Sequence, residues 1–127
     1  MPRTSFLPGN ELLKLRGSSQ EQLHERAAVL SRQNFGKEVF VRGVVELSNF
    51  CRQNCSYCGM RRDNHTLERF RSYFEAVAEM LIHHRPQSIT DINIQTGEDP
   101  VAIRNVVLPL IRAIRKETNL GISVCLG

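Results

Sequence analysis

The sequence has no tryptophan and only two tyrosines. It therefore lacks the run of stacked aromatic side chains that single-stranded nucleic-acid platforms use. No apolar stretch approaches the ~20 residues of a membrane-spanning helix. The first seven residues carry no apolar signal-peptide core, and no low-complexity run interrupts the chain. Cysteine is sparse, at four in 127 residues. A disulfide framework is excluded, and a cytoplasmic chain with reduced thiols is expected. Nor is there an extreme of charge: the formal net charge is +4. The length allows one domain at most and falls short of a complete (βα) barrel, which takes about 250 residues.

What is present is concentrated. Three of the four cysteines, Cys51, Cys55 and Cys58, fall within eight residues. Packing gives no reason to crowd thiols in this way, whereas thiolates are soft ligands suited to zinc or iron–sulfur clusters. Structural zinc sites take four ligands, commonly from two CxxC-type pairs. Three thiolates on one short loop suit a [4Fe–4S] cube that keeps one iron for a non-protein ligand, since fully protein-ligated clusters normally use four cysteines.

Along the chain, Asn10 can cap a short helix over 11–16 that ends at Gly17. Ser18 and Glu21 then read as a capping box for a longer helix to about Asn34, with Leu23, Ala27 and Leu30 on one face, His24 on the surface and Gly36 past the end. The β-branched run over 39–47 reads as a buried strand of a parallel sheet, with the cysteine loop at its C-terminal end. Glu46 inside that run needs a partner or a cavity. A second capping box, Ser72 to Glu75, opens a helix to about His83 with Val77, Met80 and Leu81 on one side and Met80 as core filler. His83 and His84 point apart and make a poor chelate. Their expected role is to interact with the helix C-terminus. Residues 88–95 alternate as a second strand, broken at Asp91. Thr96-Gly97-Glu98 follows it, and Asp99 and Pro100 are a natural N-cap and first helical residue. Pro109 should kink or split that helix. Residues 121–127 read as a third strand, which makes Cys125 a buried apolar residue. The expected organisation is a helical segment over 1–36, then β-α-β-α-β over 37–127 with right-handed parallel crossovers.

The CxxxCxxC spacing with Tyr57 before its last cysteine resembles the cluster motif of the radical S-adenosylmethionine (SAM) enzymes. Leu47-Ser48-Asn49-Phe50 before it and the stretch from Gly59 to Asn64 after it resemble the biotin synthase-like branch, within it the group of the hydrogenase maturase HydE and methylornithine synthase. The resemblance covers about 39–127. It implies the N-terminal part of a TIM-type (βα) barrel, with Cys51, Cys55 and Cys58 holding a [4Fe–4S] cluster and SAM binding the open iron. It also implies Tyr57 beside the adenine, Gly59 letting the backbone pass the cluster, and Thr96, Gly97 and Glu98 in the loop that holds the methionine ammonium. The family has glycine where Thr96 stands, and no cysteine lies between Cys58 and Cys125, unlike biotin synthase itself. A small-molecule substrate, an electron donor such as flavodoxin or ferredoxin, and the remainder of the barrel are the implied partners.

The rival reading is a small zinc module in which His65 completes the three cysteines and basic residues meet nucleic acid. Arg61, Arg62, Arg69 and Arg71 cluster after the cysteines. They are expected to form a solvated face relieved by Asp63 and Glu68, or a local anion site, rather than a nucleic-acid patch.

Overall fold

In the computed structural model of the protein, residues 8–127 are described. They form two compact units that divide between Val39 and Phe40.

The first unit holds α1 (Gly9–Leu12) and α2 (Gly17–Phe35). Both start earlier than expected. Pro8 is the N-cap of α1, so Asn10 lies within the helix, and Arg16, in extended backbone, is the N-cap of α2. Ser18 is thereby inside the first turn and makes no cap hydrogen bond; a capping box needs its serine at the non-helical position. Gly36 closes α2 at φ 64° and ψ −138°, a conformation open to glycine, its N–H donating to Arg32 O. His24 is exposed.

The second unit is a parallel sheet of β1 (Val41–Ser48), β2 (Ile89–Thr96) and β3 (Gly121–Cys125), in the order β1-β2-β3. The first crossover is α3 (Phe74–His83). The second is one helix in three segments: α4 (Pro100–Ala102), a π-helical turn (Ile103–Val107) and α5 (Leu108–Glu117). The wide turn ends two residues before Pro109. Proline lacks the N–H that would bond residue 105, and its ring collides with that carbonyl in a regular α-helix, so the backbone bulges there.

One face of the sheet carries Leu47, Ile92 and Ile94, all fully buried, against Val77 and Leu81 of α3, Val106 and Val107 of the π-turn, and Leu110 and Ile114 of α5. The other face is polar. The register sets Arg42, Asp91 and Gly121 in one row, Glu46, Gln95 and Cys125 in another. This two-faced sheet alters three expectations and meets one. The run at 39–47 is not buried throughout: Val39 and Phe40 precede β1 and are exposed, as is Val41 at its start, and Val44 lies on the face opposite the packed crossover helices. Glu46 faces a cavity of about 80 Å³ lined also by Met60, Gln95 and Cys125. Cys125, on the same polar face, is exposed rather than buried. Asp91 does not break the alternation. The pairing jumps from Val41↔Ile89 to Arg42↔Asp91, so Thr90 is an extra residue and Ile89 reaches the core side by a bulge.

In α3, Tyr73 is the N-cap and no side chain caps it, so the box at Ser72 does not form. The Ser72 N–H is instead held by Leu47 O at 2.8 Å. Met80 is 44% exposed; with helical spacing, Val77 and Leu81 take the core stripe and Met80 falls beside it. His83 and His84 both face Glu79, the His84 Nε2 at 3.1 Å.

Candidate functional site

Two loops leave the C-terminal ends of β1 and β2, and they are joined to each other. The Gly97 N–H donates to Ser48 O at 3.1 Å, the Arg52 N–H to Glu98 O at 3.1 Å, and the Glu98 N–H approaches Cys51 Sγ at 3.4 Å. Gly97 is required by this closeness. A Cβ there would lie 2.3 Å from Phe50 O and 2.9 Å from Cys51 Cβ. Glu98 is bound by the cysteine loop: Arg52 Nε donates to Oε1 at 2.7 Å, Arg52 Nη2 joins it, and Gln53 Nε2 donates to Oε2. The Gln53 and Arg52 hydrogen bonds hold its carboxyl below the usual carboxylate range. A cleft of about 240 Å³ runs over Phe50, Cys51, Arg52, Glu98 and Asp99.

A second layer, absent from the sequence reading, holds these loops from below. The Asp99 carboxylate, 3% exposed, accepts from Ser48 Oγ at 2.6 Å, Arg71 Nε at 2.6 Å and the Val101 N–H at 3.1 Å. It is thus both the expected N-cap and the hub that ties β1, β2 and the 69–71 segment. Burial pushes its carboxyl up, but the hydrogen bonds from Arg71 and Ser48 outweigh this and leave it below the ordinary value. The Arg71 guanidinium also lies 3.8 Å over the Phe50 ring, a cation–π contact. Arg69 donates to four carbonyls, those of Asn49, Met60, Arg61 and Asn64, while Asn49 bonds Glu68 O and the Phe70 N–H. The expected solvated basic face is therefore wrong for Arg69, which is half-buried on backbone carbonyls, and for Arg71, which is 37% exposed but paired with the buried Asp99. Only Arg62 pairs with Asp63 as foreseen. The visible signal was the Arg-Phe-Arg alternation at 69–71, which an extended segment displays on one side.

The remaining candidates are placed as follows. Cys51, Cys55 and Cys58 are free thiols, half-buried, on one loop with a turn from the Cys58 N–H to Cys55 O at 3.0 Å. Among the described residues no three His, Cys, Asp or Glu side chains converge as a metal-holding group, neither these thiols alone nor with His65. Tyr57 is 89% exposed. A Cβ at Gly59 would meet nothing within 4 Å, so no contact in the fold demands glycine there. Thr96 is buried beneath the loop, its hydroxyl donating to Gly97 O. The donor set itself fits an iron–sulfur cluster: three free, soft thiols on one loop, none of them in a disulfide.

The chain is 37% identical over 107 residues to the [FeFe] hydrogenase maturase subunit HydE of Thermotoga maritima, across 84% of this chain and 30% of that protein. The proteins it matches, HydE, methylornithine synthase and HydG, are all radical SAM proteins. The chain is 25% identical over 109 residues to 3-methylornithine synthase of Methanosarcina barkeri, 31% of whose length it spans. The crystal structure of methylornithine synthase superposes with a TM-score of 0.77 over 93% of this chain and 36% of the other, at 24% identity. The maturase HydG of Carboxydothermus hydrogenoformans gives 0.65 over 89% of this chain and 27% of the other, at 27% identity. The three parallel strands and their helices match part of the radical SAM barrel in these structures. No protein-family model matches the chain. It spans about a third of the length of the curated relatives that cover most of it.

Proposed function

We propose that this chain carries the cluster and the methionine-binding loop of a radical SAM enzyme. Cys51, Cys55 and Cys58 would hold a [4Fe–4S] cluster as thiolates, leaving one iron for SAM. When bound, that group supplies the electron for reductive cleavage of SAM to a 5′-deoxyadenosyl radical, which abstracts hydrogen from a small-molecule substrate. The protein's part is to bind, orient and exclude water. Glu98 offers a carboxylate to the ammonium of the methionine moiety, a charge-assisted hydrogen bond. Gly97 lets that backbone lie against Cys51, and the exposed Tyr57 ring is available to the adenine.

The observation that carries this reading is the Glu98 N–H set 3.4 Å from Cys51 Sγ. It joins the two motifs, 47 residues apart in sequence, in one place. The 37% identity to HydE supports a role in hydrogenase maturation over the rearrangement carried out by a methylornithine synthase. An electron donor such as flavodoxin or ferredoxin is the expected partner.

Anaerobic reconstitution tests the reading. About four irons per chain, with an electron paramagnetic resonance signal that SAM perturbs, is the expected result. Stoichiometric zinc and no iron uptake would defeat it in favour of the zinc module.

A further inference from the structure

Glu98 already has a cationic partner in the fold. Arg52 Nε and Nη2 both donate to Oε1 and Gln53 Nε2 to Oε2. The Arg52 side chain is 65% exposed and Glu98 is 23% exposed, so the pair sits at the rim of the cleft rather than in the core. A guanidinium and a ligand ammonium carry the same charge. One carboxylate oxygen cannot serve both without bringing two cations together. Of the two donors, Gln53 is neutral and occupies the other oxygen, so it can remain. The backbone link from the Arg52 N–H to Glu98 O can also remain when the side chain leaves.

We propose that Arg52 is a built-in competitor for the ammonium subsite: its guanidinium holds Glu98 in place and must be displaced when SAM binds, so that Arg52 sets SAM affinity. The proposal rests on the reading of Glu98 given above. An exposed ion pair is weak, so displacement is cheap and the effect is modest. Because Arg52 directly follows Cys51, the exchange also ties occupancy of the ammonium site to the first turn of the cysteine loop.

The test is SAM affinity by anaerobic equilibrium dialysis on the reconstituted full chain, with iron content measured in parallel. Arg52→Gln should bind SAM about two- to fivefold more tightly, the range of an exposed ion pair, with iron retained. SAM is itself cationic, so removing any nearby positive charge could mimic the effect. Two controls separate the cases: Arg62→Gln should leave affinity unchanged, and Arg52→Gln added to Glu98→Gln should bring no further gain. Unchanged or weaker binding by Arg52→Gln, equal tightening in both backgrounds, or loss of iron would overturn the proposal. If Glu98→Gln alone leaves SAM affinity unchanged, the ammonium reading itself has failed, and the competitor with it.

Discussion

Single positions decide whether the two loops can meet. Gly97 is the sharpest case, because the atoms its Cβ would strike include a backbone carbonyl 2.3 Å away, which has no rotamer to yield. Gly97→Ala should destabilise the fold by about 1–3 kcal/mol, the cost of overpacking, and lower iron retention; denaturant melts and iron analysis read both. Gly59→Ala, in open space, should leave stability within about 0.5 kcal/mol. The cysteines divide in the same way. Replacing Cys51, Cys55 or Cys58 singly with alanine should abolish the intact cluster, while Cys125→Ala, on the exposed polar face, should leave it in place. Absorption of the reconstituted variants near the iron–sulfur charge-transfer bands distinguishes these outcomes. Glu98→Gln should weaken SAM binding about 10- to 150-fold, as expected for loss of a charged hydrogen bond, with the cluster still assembled.

At the level of elements, Asp99 joins the end of β1, the end of β2, the start of α4 and the segment carrying Arg71. Its carboxyl lies below its ordinary value in the fold. A group lowered in this way contributes stability above its unfolded pKa, about 3.9. That contribution disappears as the pH falls through the lower folded value. The chain should therefore lose stability on acidification below about pH 4, and Asp99→Asn should flatten that dependence in denaturant melts taken across pH. At neutral pH the same change should cost about 2–3 kcal/mol. Breaking a fully buried pair costs about 3–5, and Arg71 is 37% exposed. The core beneath behaves more simply. Ile94, fully buried at the centre of the sheet, should cost about 2–5 kcal/mol on truncation to alanine.

For the whole molecule, the sheet pairs β2 with a strand on both sides, whereas among the described residues β1 and β3 each have one neighbouring strand, with only a Ser48–Arg71 bridge on the outer edge of β1 at its end. Val41, Val44 and Val124 are exposed on those outer strands. Unpaired strand edges beside apolar side chains recruit other chains, and closure of a barrel is what removes such edges. The 127-residue chain by itself should therefore self-associate in solution. Light scattering coupled to size exclusion would contradict this by finding a monodisperse 14.5 kDa species.

The sequence by itself determined the three parallel strands, the helix after each of the first two, the cysteine loop and the Asp99-Pro100 helix start. These follow from short-range features: β-branched runs, thiol spacing, and a carboxylate next to a proline. It did not determine which face each strand presents. Val44, Cys125 and Met80 look like core in a local window, yet Val44 and Cys125 lie on the face of the sheet opposite the crossover helices and Met80 falls beside the core stripe of α3. Nor could local pattern show that Arg69 reaches the Asn49 carbonyl and Arg71 the buried Asp99 carboxylate, because these acceptors lie 20 and 28 residues away. The pairing of Arg52 with Glu98, 46 residues apart, is of the same kind. Only the parallel register, which brings the C-terminal ends of β1 and β2 side by side, places those charges within hydrogen-bond reach.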